Sequence, residues 1–561
     1  MNNMKANIKL LFIFMGAIIL GITSCTDNLD TVPEGGNLTL SQKADIAAAS
    51  PDRVAADLSG MFSFLGKQYC IFGEDRSRDD DFGYPAACMS QDLNGPDMVT
   101  PNSNYNWFDP SCTYEDRSNT FANPYMRWSI FYSQMKMAND ILKAIPDDTE
   151  DAVLKAYKGQ AYATRAFDYL SLAPYYQFKY KGNEDKPCVP IVLESDSIDV
   201  TNNPRATVRE VYALIMSDLN KAIDFLEGYS RKSKSEIDQN VAYGLRARAN
   251  LYMENWEDAA NDADKAIGSY TPASRDEVSM PTFIEASAEN WMWAIIITAD
   301  NVPAAYPTWP AKMSSFSGDA YSVAVGCYKA INKLLFDKIP ATDVRKGWWV
   351  DENLESPNLA DVEWTYVTSG GVSVTLTGNE IPPASIPDVK VPYIPYTNVK
   401  FAQYDGPGSP INAGDWCLMR VEEMILIKAE AAGRLNESEG RTVLENFVTT
   451  YRDPDYSSTA SGRSFADEVW YQRRVELWGE GFGMSDVMRL GKNVVRFNSS
   501  KETNFPEAYK FNMAADDGWL LLRIPQNETN TNKGIPLSAD NNDGTQPVVG
   551  QNGTLTDGVT D

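Results

Sequence analysis

Five aromatic residues lie in irregular, polar stretches of the sequence and have the chemistry to hold a sugar. They are Tyr105, Trp107, Tyr306, Trp309 and Tyr321. Sugars present apolar C–H faces and a rim of hydroxyls, which proteins hold by ring stacking and hydrogen bonds. We therefore predict ligand contact by these five rings. The alternative for each is a ring that closes the core beneath a loop, and further choices are Trp348, Trp349 and Trp364.

The catalytic options are narrow because the sequence contains no histidine. This removes Ser-His-Asp, Cys-His and histidine-ligated metal chemistry. Carboxylates remain, so a glycoside hydrolase that uses two carboxyl groups is an alternative. The run Asp79-Asp80-Asp81 is interpreted as a solvated turn, because it lacks the spacing of a calcium loop. We assign no catalytic residue, no metal and no cofactor.

The overall charge limits the partners. The formal net charge is −27 at pH 7, which argues against nucleic acid and against direct adhesion to an anionic surface.

The N-terminus has the features of a lipoprotein leader. Lys5 and Lys9 precede the apolar run 10–22, which is too short to span a bilayer comfortably. Such a run is typical of a secretory signal peptide, here residues 1–24. Small residues followed directly by Cys25 indicate lipidation of that cysteine, and residues 25–40 are predicted to form a tether. The six remaining cysteines are scattered and leave either disulfides or free thiols open.

Much of the chain has the apolar spacing of paired helices. Thr207 and Glu210 form a capping box, and apolar residues then recur at steps of three and four. Alanines alternate with large residues across helix-turn-helix units, as in tetratricopeptide repeats. We predict a mostly α fold with a helix-pair scaffold at about 120–270 and 415–490. A large irregular lobe with a few short strands is expected at about 70–120 and 271–414.

Six segments, in order along the chain, carry a family resemblance: Cys25–Pro33, Ala163–Leu170, Val189–Val192, Arg205–Tyr212, Arg474–Arg489 and Ile524–Glu528. Together they resemble the RagB/SusD family of surface lipoproteins in Bacteroidetes. The usual arginine after the family's Glu-Gly is replaced by Gly483.

This resemblance implies a function and a location. It implies a single SusD-like domain over 41–561, binding of an oligosaccharide without catalysis, and delivery to a SusC-like TonB-dependent outer-membrane transporter. It places the chain on the outer membrane, lipid-anchored and surface-exposed. A binder of peptide or another non-sugar nutrient stays open as an alternative. The charged residues Glu476, Glu480, Asp486 and Arg489 are expected to tie helices together.

Overall fold

The computed structural model describes residues 54–103, 105–194, 199–541 and 543–561. The signal peptide, Cys25 and the tether lie outside the described residues. The helices are α1 Val54–Phe64, α2 Tyr84–Asn94, α3 Asp109–Thr113, α4 Ala122–Ala144, α5 Ala152–Tyr176, α6 Val208–Phe225, α7 Gln239–Met253, α8 Trp256–Ile267, α9 Trp309–Met313, α10 Tyr321–Ala324, α11 Lys333–Phe336, α12 Val421–Leu435, α13 Glu437–Tyr451, α14 Phe465–Glu476, α15 Gly483–Leu490 and α16 Gln526–Thr531. The strands are β1 Met98–Val99, β2 Trp291–Ile295, β3 Ala330–Ile331, β4 Glu363–Val367, β5 Ser373–Thr377 and β6 Trp416–Arg420.

The long helices pack as consecutive pairs. Helices α4 to α8 each contact the next, α8 packs against α12, and α12 packs against α13 and α14. The contact between α8 and α12 joins the helices before the lobe to those after it. The prediction of a mostly α, tetratricopeptide-like scaffold is confirmed.

Helix α6 shows how the sequence specifies one of these elements. The Thr207 side chain accepts a hydrogen bond from the backbone N–H of Glu210, and the Glu210 carboxylate accepts one from the backbone N–H of Thr207. This capping box satisfies two otherwise orphaned N–H groups. The residues spaced at three and four along one face are buried, namely Val208, Val211, Ile215, Leu219 and Ala222. The predicted helix is therefore confirmed.

The lobe between α8 and α12 is irregular, with short strands. Strand β2 pairs antiparallel with β6, and β4 pairs with β5 as a hairpin. Strand β6 leads directly into α12, so the lobe is attached to the scaffold through a buried strand pair. The lobe also has its own apolar cluster around Trp364 and Phe316.

A buried charge network joins the scaffold to the lobe. Glu476 is fully buried and accepts hydrogen bonds from Arg345, Arg420 and Arg452. Glu480 accepts from Arg420 and from Lys400. These residues come from separate elements, so the acids at 476 and 480 hold elements together, as the sequence indicates.

The backbone at Gly481 and Gly483 makes a buried contact with a carboxylate. The buried Asp92 carboxylate accepts hydrogen bonds from the backbone N–H groups of Gly481 and Gly483, both at 2.9 Å. Burial raises the pKa of Asp92 to about 7, although the two N–H donors lower it. A glycine at 483 also leaves room for this carboxylate, because a Cβ there would lie 3.0 Å from Asp92 Oδ1.

All six cysteines in the described ranges are free thiols, so disulfides do not hold this part of the chain together. Within the same ranges, no helix has the length and apolar character needed to cross a membrane.

Candidate functional site

One side of the candidate site is the loop before α3, which carries Tyr105 and Trp107. Asn106 fixes this loop: its side-chain N–H donates to Asp109 Oδ1 at 2.9 Å, and its oxygen accepts from the backbone N–H of Phe108 at 3.2 Å. Asp109 in turn accepts a hydrogen bond from the Tyr509 hydroxyl. These hydrogen bonds hold the loop in place. Trp107 is half-buried and Tyr105 is 60% exposed.

The other side of the site is formed by two lobe segments that carry Tyr306 and Tyr321. Buried Asn412 ties them together, because its side-chain N–H groups donate to the carbonyls of Ala305 at 2.9 Å and Asp319 at 2.6 Å. The Tyr306 hydroxyl donates to Asp319 Oδ1 at 3.1 Å. The centroids of the Tyr306 and Tyr321 rings lie 4.9 Å apart.

The two sides meet at the Tyr321 hydroxyl. Burial raises the pKa of Tyr321, a hydrogen bond from the Trp107 indole lowers it, and a hydrogen bond to the Asp79 carboxylate raises it again. The structure therefore brings together three of the five predicted rings, which we call the aromatic platform: Trp107, Tyr306 and Tyr321.

The rim of the aromatic platform includes residues of the acidic run. The Arg78 guanidinium lies 5.3 Å from the centroid of the Trp107 ring and makes two 2.9 Å hydrogen bonds to Asp80. Asp81 accepts from the backbone N–H groups of Ile71 and Phe72. The interpretation of residues 79–81 as a solvated turn is wrong, since Asp80 and Asp81 are only 1% and 2% exposed. Both carboxylates are already hydrogen-bonded to donors in neighbouring residues.

A buried cation supports the aromatic platform from inside. Lys312 Nζ lies 3.7 Å from the centroid of the Tyr321 ring and has no hydrogen-bond partner within the described ranges. Burial lowers the pKa of Lys312 to about 7, partly offset by the negative charge of Asp79. When protonated, Lys312 makes a favourable cation–π contact that holds the Tyr321 ring in place.

Trp309 lies in the core and not on the aromatic platform. It is 1% exposed, its indole N–H donates to the Gly414 carbonyl at 2.8 Å, and its ring packs edge-on against Phe401 and Trp416. The prediction that Trp309 contacts a ligand is therefore corrected, because α9 directs this side chain into the core. The further choices Trp348, Trp349 and Trp364 are buried as well.

Sequence reasoning missed the polar residues that position the rings. In the sequence, Asp79 appears only as part of an acidic run, and Lys312 only as a lysine three residues after Trp309. Asp319 and Asn412 are far from the Trp107 loop in sequence, and nothing in the local pattern of either predicts a contact with the rings. The one usable signal was the density of Tyr, Trp, Asn and Asp in the two irregular stretches.

The fold and the site together define a class: a helix-pair scaffold protein whose loops bring aromatic rings together at the surface. Comparisons with known proteins agree. Residues 87–251 match a family described as "Starch-binding associating with outer membrane", and residues 367–539 match the "SusD family". The chain belongs to the SusD/RagB family. The first description indicates an association with the outer membrane.

Individual relatives are distant. SusD-like protein P38 of Formosa agariphila is 23% identical over 411 residues, which are 66% of this chain and 73% of that protein. A SusD-like protein of Bacteroides ovatus is 28% identical over 256 residues, which are 44% of this chain and 40% of that protein.

Solved structures show the same fold. A SusD-like carbohydrate binding protein from Bacteroides vulgatus has a TM-score of 0.67 at 24% identity, covering 86% of this chain and 96% of that chain. A laminarin binding SusD-like protein has a TM-score of 0.56 at 16% identity, covering 86% and 98%.

Proposed function

We propose that this chain is a cell-surface lipoprotein that binds an oligosaccharide on the aromatic platform and delivers it to a SusC-like TonB-dependent transporter, without chemical change. The observation that carries the proposal is the convergence of Trp107, Tyr306 and Tyr321 from separate segments. The three rings are surrounded by polar groups that exchange hydrogen bonds readily with hydroxyls.

The physical basis is a mixed surface. Ring faces accept the apolar C–H face of a sugar, while Asp79, Asp319 and Arg78 offer acceptors and donors for its hydroxyls. Two structural neighbours are a carbohydrate binding protein and a laminarin binding protein, which supports a glycan as the ligand class.

The first test is Trp107→Ala in the mature chain from Thr26 on. We expect an affinity loss of about tenfold or more for the bound oligosaccharide, because truncating a central aromatic contact typically costs about 2 kcal/mol. Isothermal titration calorimetry against a panel of polysaccharides and oligosaccharides measures it.

The matched control is Tyr366→Ala, which removes a half-buried ring on the β4–β5 hairpin. We expect this variant to keep wild-type affinity. Equal affinity of wild type and Trp107→Ala would exclude the aromatic platform as the binding site.

Product analysis after long incubation tests the hydrolase alternative, since released shorter sugars would contradict a purely binding role.

The lipid anchor is tested by Cys25→Ala in the full chain, with Thr26→Ala as the neighbouring control. Acyl chains contribute about 0.8 kcal/mol per buried CH₂, so two or more chains give stable attachment. We expect Cys25→Ala to shift the protein from the outer-membrane fraction to the soluble fraction, and Thr26→Ala to stay with the membrane. Retention of Cys25→Ala in the membrane would refute the anchor.

Delivery requires a complex with a transporter. Purification of the anchored chain from solubilised outer membranes should recover a TonB-dependent transporter, identified by mass spectrometry. Recovery of the chain alone would contradict the delivery step and leave glycan binding in place.

A further inference from the structure

A second cleft lies beside the aromatic platform. It has a volume of about 550 Å³ and is lined by aromatic, basic and amide side chains. The Phe72 and Tyr125 rings have centroids 5.5 Å apart, and Phe121 is 40% exposed. Asn119, Gln526 and Asn527 add amide groups to the lining. Rings and amides in one open cleft are the combination that suits a sugar.

The second cleft is continuous with the aromatic platform through one side chain. The Arg78 guanidinium lies 5.9 Å from the Phe72 ring centroid and 5.3 Å from the Trp107 ring centroid. The two rings are therefore no further apart than these two distances combined. A short oligosaccharide can span that separation, with one unit on Trp107 and another against Phe72.

The charge of the second cleft is opposite to that of the whole chain. Arg76 and Arg78 line it, and no Asp or Glu is among its lining residues in the described ranges, although the net charge of the chain is −27. Arg78 is neutralised by Asp80. In the part of the chain that the structure describes, Arg76 forms no ion pair and instead lies over Phe72, with its guanidinium 5.5 Å from the ring centroid. Its donors are left for an incoming anion.

We infer that the second cleft extends the aromatic platform and binds an anionic sugar unit of the glycan, with Arg76 pairing to its carboxylate or sulfate group. This inference rests on the proposed function. The planar guanidinium matches both anions and pairs with them through two parallel N–H donors. Stacking on Phe72 holds the Arg76 side chain in place, so less rotamer freedom is lost on binding.

The test compares three probes of matched length: oligogalacturonides, sulfated galactan oligosaccharides and a neutral β-glucan oligosaccharide. We expect tighter binding of at least one anionic probe than of the neutral probe. The preferred anion identifies the source of the charge, carboxylate or sulfate. The affinity for the anionic probe should decrease as salt is raised, because the contact is at the surface and is screened, while the affinity for the neutral probe should not.

The decisive variant is Arg76→Gln, which keeps a hydrogen-bond donor but removes the charge. We expect about a tenfold loss for the anionic probe, a smaller salt dependence, and no change for the neutral probe. The matched control is Arg209→Gln, which removes an exposed arginine on α6 that pairs with Asp185. This variant should change neither affinity.

The outcomes separate this inference from the proposed function. If the neutral probe binds and is lost in Trp107→Ala, while anionic probes bind no better than it does, the second-cleft inference is overturned and the proposed function stands. An Arg76→Gln variant that binds the anionic probe as tightly as wild type also overturns the inference. If no probe binds to wild type, both are overturned.

Discussion

Glu476→Gln is expected to lower the free energy of unfolding by about 3–5 kcal/mol, the usual cost of breaking a buried ion pair by removing one partner. Glu476 receives hydrogen bonds from Arg345, Arg420 and Arg452, and all four side chains are at most 1% exposed. The glutamine keeps the shape but removes the charge that compensates three buried guanidinium groups. Urea denaturation followed by tryptophan fluorescence measures the loss.

The matched control is Glu437→Gln, which breaks the exposed pair with Arg441 one turn along α13. Exposed pairs contribute little, so we expect no measurable change in the urea midpoint. An unchanged midpoint for Glu476→Gln as well would mean that the desolvation of the network cancels its attraction, and that Glu476 does not hold the scaffold to the lobe.

The same contacts predict how the stabilities of wild type and Glu476→Gln depend on pH. Burial opposes ionisation of Glu476, but Arg452, Arg420 and Arg345 outweigh it and hold its pKa well below the ordinary value of 4.5. A lowered pKa in the folded state stabilises the protein above pH 4.5, and this stabilisation is lost as pH falls below that value. The stability difference between wild type and Glu476→Gln should therefore narrow below pH 4.5.

Trp309→Ala is expected to lower the free energy of unfolding by about 3–5 kcal/mol, because it leaves a cavity in the core. It also leaves the Gly414 carbonyl without its indole donor. Trp309→Phe keeps most of the volume, so we expect it to fold with a smaller loss of stability. It provides the measurement if the alanine variant does not fold. Thermal and urea denaturation measure both variants.

Comparison with Trp107→Ala gives this prediction its sharpest test. Trp107 is half-buried at the surface, so its removal should reduce affinity with little change in stability, whereas Trp309→Phe should reduce stability and retain binding. The reverse pattern, in which Trp309→Phe is stable and no longer binds, would place the ligand at Trp309 and contradict its assignment to the core.

The sequence by itself determined the local elements and the chemical character of the site. The capping box at Thr207 and the apolar spacing that follows it predicted α6, because backbone hydrogen bonds and one-sided burial act within a few residues. The enrichment of rings and polar side chains around residues 105 and 306 is the basis for the predicted sugar contacts, which remain a prediction.

Only the tertiary structure decided which of the predicted rings reach the surface. Tyr306 and Trp309 are three residues apart in the same motif, yet one is 39% exposed and the other 1%. The difference arises because α9 turns Trp309 toward Phe401 and Trp416, which are distant in sequence. The partners of Tyr321, namely Trp107, Asp79 and Lys312, likewise come from separate segments. Long-range packing sets these contacts, and no local pattern of residues encodes them.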